Sequence, residues 1–402
     1  MSVKPTGPDS PYQRLRDEGY EVEIRQQHLL VHQIPYVAAG GVLRHDTLVC
    51  TYVESAGDLL PLDNHQVWFT GEYPCFADGK QIGALLNDNT TQELFNGCFI
   101  HHRFSNKPFG CDAFTDHHTK MIHYITILSD QAKALDPDAD ARTGRVIEAT
   151  EEESVFKYSD TASVRAEISM TSARLALKKL AIIGLGGTGA YVMDQAAKTP
   201  VAEIHMYDGD EFLQHNAFRS PGAATVEELK ERLAKVEYYK RRYEPMRRGI
   251  IAHPFKITSE NIQELKDFDF VFICIDSGSA RRLICDYLQQ NDVKFIDVGM
   301  SVEMVKDTGS LIGTCRVTLS TNTQKEHLQK YVPMMDETDE GAVYRQNIQI
   351  ADMNALNAML AVIKWKQVYG FYQDDMQSHN LTFALSAPSL IRDVTAMERQ
   401  IG

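Results

Sequence analysis

The sequence predicts an α/β fold, a mostly parallel sheet flanked by helices, preceded by a smaller β-rich α+β domain. Three observations lead there. After about residue 154, apolar strands alternate with amphipathic helical stretches, the texture of a parallel sheet with crossover helices. The first of those strands runs into a glycine-rich turn, Gly184-Leu185-Gly186-Gly187-Thr188-Gly189. Before both lies Leu135 to Glu153, a polar stretch rich in Asp, Glu and Ala that reads as a linker, in part helical.

In the first half, short β-rich runs such as His28 to Val37 and Thr47 to Val53 sit between Gly- and Pro-bearing turns. In the second, Lys179 to Ile183 reads as a buried strand, followed by the glycine turn and a helix over about Ala190 to Lys198. Ala202 to Asp208 is a second strand. Thr225 to Arg242 has helical periodicity throughout, with Thr225 as N-cap and acidic residues just inside it. Ile250 to Ile257 reads as a third strand and Asp269 to Asp276, DFVFICID, as a fourth. Ser279 to Gln290 is a helix, Lys294 to Val298 a fifth strand and Gly313 to Leu319 a sixth. Gln349 to Tyr369 closes the pattern as a long helix.

Composition limits the function classes. The 402 residues fit two domains, and 43% hydrophobic with 24% charged residues is an ordinary globular balance. A net charge of −14 opposes a phosphate backbone and argues against a dedicated nucleic-acid binder. A nucleotide site needs only a few local cations and is not excluded. Apolar runs fall short of the roughly 20 residues of a membrane span, and Met1 to Tyr12 lacks a signal-peptide core. Seven cysteines (Cys50, Cys75, Cys98, Cys111, Cys274, Cys285 and Cys315) are scattered without a CxxC pair. That pattern predicts reduced thiols in a cytoplasm and no zinc.

The chemistry gathers around the glycine turn. GLGGTG has GxGxxG spacing between strand and helix, where backbone N–H groups and the helix dipole favour a phosphate. Asp208 lies 24 positions after Gly184, at the end of the next strand, where a carboxylate accepts bonds from ribose hydroxyls. This much is equally compatible with a tight turn that binds nothing and with a dinucleotide dehydrogenase. The residues beyond separate them. Asp208, Asp210, Asn216 and Arg219 follow the second strand, Lys235 lies on the next helix, and Asp276 ends the fourth strand on the same sheet edge. Hydride transfer has no need of an Arg, a Lys and a second acid around the phosphates, whereas adenylyl transfer has. The attacking carboxylate is already ionised, so the barrier lies in joining two anions and stabilising charge on the α-phosphate and the leaving pyrophosphate. Cations and Mg2+ do that, each contributing about 10²–10³-fold. Taken singly, Arg219 and Lys235 read as solvated charges and Asp276 as the cap of the helix from Ser277.

From Leu177 to about Thr318 the chain resembles the adenylation domain of the ubiquitin-activating and ThiF family. The resemblance rests on GLGGTG, Asp208-Gly209-Asp210, Asn216-Ala217-Phe218-Arg219, Lys235 and Cys274-Ile275-Asp276. It implies a Rossmann-like adenylation domain over residues 154–402, with 141–153 a linker and 1–140 a β-rich, partner-recruiting domain. It implies ATP binding by Gly184, Gly186, Gly187, Gly189, Asp208, Asp210, Asn216, Arg219 and Lys235. Asp208 would lie on the ribose, Asn216, Arg219 and Lys235 on the triphosphate, and Asp276 on Mg2+. An Arg lent by the partner protomer of a homodimer reaches the γ-phosphate in that family, and Arg165 stands in the matching place. Catalytic roles thus fall to Arg219, Lys235, Asp276 and Arg165.

Residues 1 to about 140, with HQIPYV, DNHQVWFTGEYP and FSNKP, resemble a domain fused ahead of ThiF-type domains in bacterial ubiquitin-like gene clusters. That resemblance implies a ubiquitin-like protein and a conjugating-enzyme-like protein as partners, and it admits a role in antiviral defence. His101, His102, His117, His118 and His123 invite a metal reading, but adjacent histidines in a strand face opposite sides. Trp68 and Phe69 read as core. Two departures from the family stand out. The two CxxC pairs of zinc-bearing sulfur-carrier activators are missing, and no cysteine follows Cys315, itself a core thiol in TCRVTL. Activation of a ubiquitin-like C-terminal glycine is the expectation. Activation of a sulfur carrier and a nucleotide-binding scaffold or sensor are the alternatives.

Overall fold

A computed structural model describes residues 6–392, apart from 8, 56, 96, 109, 111–112, 148–153, 159, 167 and 336–347. The chain divides into two compact units, Met1–Ser154 with Tyr158–Met170, and Val155–Lys157 with Thr171–Gly402. The expected linker, 141–153, falls within the first unit, and 148–153 lie outside the described residues.

The first unit is built on a six-stranded antiparallel sheet, in spatial order Val22–Arg25, His28–Ala38, Val42–Thr51, Gln66–Phe69, His102–Ser105 and Leu86–Asp88. Leu29, Val31, Ile34, Tyr36, Phe69 and Phe104 bury one side of it under a helix, His117–Lys133, through Met121, Tyr124 and Leu128. Trp68 and Phe69 are both core residues. The helix corrects the strand reading of the histidines. Asp116 caps it by accepting from Thr119 N at 2.7 Å, so His117 and His118 sit on its first turn. His118 is held between Arg14 and Glu18, and His123 bonds Asn106.

The second unit carries an eight-stranded sheet. In chain order its elements are β1 (Lys179–Ile183), α1 (Gly187–Ala196), β2 (Glu203–Tyr207), α2 (Lys235–Tyr243), β3 (Ile250–His253), β4 (Phe270–Ile273), α3 (Gly278–Gln290), β5 (Phe295–Met304), β6 (Leu311–Ser320), α4 (Ala351–Val368), β7 (Asn380–Ala384) and β8 (Ser389–Arg392). The spatial order is β3-β2-β1-β4-β5-β6-β7-β8. The first five strands are parallel, and β6 to β8 add antiparallel strands at one edge. Strand order reverses between β1 and β4, the switch point at whose carboxyl edge such sheets bind ligands. Here the architecture is the Rossmann-like α/β fold expected from the strand–helix alternation.

Several elements differ from expectation: β5 runs on to Met304 rather than ending at Val298, and β7 and β8 are additional to the expected strands. The single helix over Thr225 to Arg242 is two, Val226–Glu231 and α2, because Arg232 turns left-handed at φ 50°. Tertiary bonds overrule the periodicity there: Phe212 N donates to Leu233 O at 2.8 Å and Lys235 N to Asp210 O at 2.9 Å, drawing the intervening residues out of the helix. The third strand also stops at His253 rather than Ile257.

Candidate nucleotide site

The glycine turn owes its shape to three close approaches. Gly184 has φ +90°, and a Cβ there would stand 2.5 Å from Cys274 O, while one on Gly189 would overlap Gly184 O. Gly187 presses on Asn354, a buried side chain of α4 whose Oδ1 accepts from Thr188 Oγ1 at 2.9 Å. Gly186 is different, because a Cβ there would meet nothing within 4 Å. It is also the N-cap of α1 and makes no side-chain cap bond, so no capping side chain occupies the positive dipole end of the helix.

Asp208 ties this turn to the cationic side of the edge. Its buried carboxylate accepts from Leu185 N at 2.7 Å and Asp210 N at 2.9 Å, and lies 3.5 Å from Lys235 Nζ. Lys235, at the first turn of α2, is itself buried and donates to Asp210 Oδ2 at 2.9 Å. That bond, with Lys256 adding to it, holds the half-exposed Asp210 carboxyl below its usual range. Lys256, with Nζ 3.2 Å from Asp210 Oδ1, is a site residue that motif reasoning missed. It lies just beyond β3, and no spacing rule marks it.

Between β2 and α2 the short helix Gln214–Ala217 carries Asn216 and leads to Arg219. Asn216 is buried, and its Oδ1 accepts from Leu213 N at 2.9 Å. Its Nδ2 and the Nε of Arg219 are buried donors with no partner among the described residues. Orphaned buried donors cost about 1–3 kcal/mol each, which a bound anion would recover.

Asp276 leaves β4 two residues past Cys274, the residue against Gly184. It is exposed, with no hydrogen bond or ion pair among the described residues. Helix α3 does not use it as a cap, since Ser277 is the N-cap and accepts from Ala280 N. A sequence model of the ThiF family matches residues 162–389, more than half of the chain. The chain belongs to the ThiF family. Membership supports an enzyme of adenylyltransferase type.

A second family model, a domain of unknown function designated DUF6791, matches residues 11–161. No curated protein matches this ThiF-family chain. Among solved structures it is similar to Escherichia coli MccB with ATP, at 16% identity and a TM-score of 0.45, covering 57% of this chain and 67% of that one. MccB with MccA-N7isoASN gives 16% and 0.46 over the same shares. PaaA gives 15% and 0.40, over 56% and 75%.

Six of the seven cysteines of this ThiF-family chain lie among the described residues, and none of the six is exposed. Cys50, Cys75, Cys98, Cys285 and Cys315 are buried and Cys274 is half-buried, and desolvation pushes each thiol up, Cys50 and Cys315 to about 11. Cys111 lies outside the described residues. Arg165 ends a short helix, Thr161–Arg165, and its side chain also lies outside them. Among the described residues no group of three His, Cys, Asp or Glu is arranged to hold a metal, and no helix is long and apolar enough to cross a membrane.

Proposed function

We propose that the chain adenylylates the C-terminal carboxylate of a ubiquitin-like protein with ATP and passes the acyl-adenylate to a conjugating-enzyme-like partner. The observation that supports the reading is the pair of orphaned donors, Asn216 Nδ2 and Arg219 Nε, in the segment that follows β2, in a chain whose turn after β1 has Gly186 facing open space. A triphosphate supplies charged acceptor oxygens for both.

In this reading the first amides of α1 receive phosphate oxygens, and Asp208 and Asp210 face the ribose. Lys235, now held by the two carboxylates, and Arg219 stabilise the charge that builds on the α-phosphate and the departing pyrophosphate. An acceptor carboxylate oxygen bonds to the α-phosphorus as the bond to the bridging oxygen of pyrophosphate breaks. No proton moves, so no general base is required. Asp276 fits Mg2+ as a lone hard oxygen donor, with phosphate oxygens and water completing the shell. When bound, the ion would neutralise phosphate charge. That none of the six described thiols is exposed favours direct hand-off over a thioester on any of those six. A homodimer, with Arg165 lent across to the partner's γ-phosphate, completes the proposal.

ATP–pyrophosphate exchange tests it. Exchange appears only with Mg2+ and the ubiquitin-like protein, and Lys235→Ala or Asp276→Ala lowers it by about 10²-fold or more. Undiminished exchange in both variants sinks the reading. ATP binding without exchange on any acceptor points instead to a scaffold or sensor.

A further inference from the structure

A buried ionic triad braces the turn that ends in Asp276. Asp297 on β5 has no exposed surface and receives Arg281 Nε of α3 at 2.8 Å and Arg316 Nη2 of β6 at 2.5 Å. Two guanidiniums on one carboxylate leave a net positive charge in the interior, which is costly unless the remaining donors are satisfied. Arg316 gives Nη1 to Thr318 Oγ1 at 2.6 Å. Arg281 turns its other two nitrogens on backbone carbonyls, Nη1 on Pro333 O at 3.0 Å and Nη2 on Ile275 O. Ile275 immediately precedes Asp276. A guanidinium with its fork fixed by Asp297 thus grips the peptide unit from which Asp276 projects.

We infer that Arg281 is a positioning residue for Asp276: through the Ile275 carbonyl it sets where that carboxylate stands, while Asp297 holds Arg281 in place. The inference rests on the reading of Asp276 as the Mg2+ ligand. Asp276 has no hydrogen bond of its own among the described residues, so its direction depends on the backbone that carries it. Arg316 shares Asp297 but does not touch Ile275. The two arginines therefore separate local bracing from general stability.

The test is Mn2+ binding to the full chain with a non-hydrolysable ATP analogue, followed by water proton relaxation enhancement. Arg281→Lys keeps the charge but loses the fork, and weakens Mn2+ binding about tenfold or more, the usual effect of removing an outer-shell partner. The analogue's own affinity stays near wild type, and Arg316→Lys leaves Mn2+ binding near wild type. Arg281→Gln supplies the same comparison should Arg281→Lys not be recovered folded. Unchanged Mn2+ binding in the Arg281 variants overturns the inference and leaves the adenylylation reading standing. So do equal losses in Arg281→Lys and Arg316→Lys. A wild-type chain that binds the analogue yet takes up no Mn2+ overturns the Asp276 assignment itself.

Discussion

Gly186 and Gly189 stand three residues apart in one turn and answer to different demands. A methyl on Gly189 would run into Gly184 O, inside the fold, whereas one on Gly186 would point into open space. Gly189→Ala should therefore lower the melting temperature by the several degrees that a cost of about 1–3 kcal/mol brings, because the strand–helix turn must shift. Gly186→Ala should melt like wild type and lose the stabilisation that ATP gives, since only a phosphate would meet the added methyl. Thermal melts with and without ATP check both, and a Gly186→Ala chain with full ATP stabilisation would place the phosphates elsewhere. The same turn marks how far single residues were legible. Backbone geometry fixes the residue type at Gly184, and Asp208, Asn216, Arg219 and Lys235 follow it in an ordered motif. Asn354 and Lys256 do not, for Asn354 reaches Thr188 from 166 residues away and Lys256 meets Asp210 only through the folded sheet edge. The orphaned donors of Asn216 and Arg219 likewise become visible only once burial is known.

Among the elements, periodicity identified β1 to β6 of the second unit's sheet, missed the edge strands β7 and β8, and failed where tertiary bonds or capping took over. The kink at Arg232 is set by backbone bonds to the Asp210–Phe212 segment, which a helical wheel does not contain. Helix His117–Lys133 was hidden by its histidine-rich first turn, although Asp116 and Thr119 form a complete capping box. That turn carries a pH dependence. Burial, helped by the Lys120 ammonium, pushes His117 from its ordinary 6.5 down to about 4. Between those values the unfolded chain takes up a proton that the folded chain refuses, so stability falls as pH drops through the window and stays at full value above about 6.5. The slope contributed is at most about 1.4 kcal/mol per pH unit. His65, His102 and His123 of the same unit are lowered by burial too and act in the same direction. His117→Gln should therefore flatten, without abolishing, the loss of stability between pH 7.5 and pH 5 in denaturant titrations. An unchanged slope would mean that His117 charges in place.

For the whole molecule, the proposal makes the active unit a pair of chains. Arg165 precedes the first strand of the sheet, in the segment that clusters with the first unit, while Lys235 belongs to the second. If Arg165 serves the partner's site and Lys235 its own, each variant alone is inactive in every site of a two-fold dimer. Mixing changes that. In a heterodimer of Arg165→Ala and Lys235→Ala, one site combines both defects and the other combines neither. Random exchange of protomers puts half of the dimers in that form, so the mixture should recover roughly a quarter of wild-type activity per site, the signature of a shared site in an isologous pair. ATP–pyrophosphate exchange on the two separate proteins and on their equilibrated mixture measures this directly. Recovery requires protomer exchange, which tagged chains captured from the mixture establish independently. With exchange established, a mixture no more active than its parts would place Arg165 outside the partner's site, and Lys235 with Arg219 would then carry the phosphate charge within a single chain.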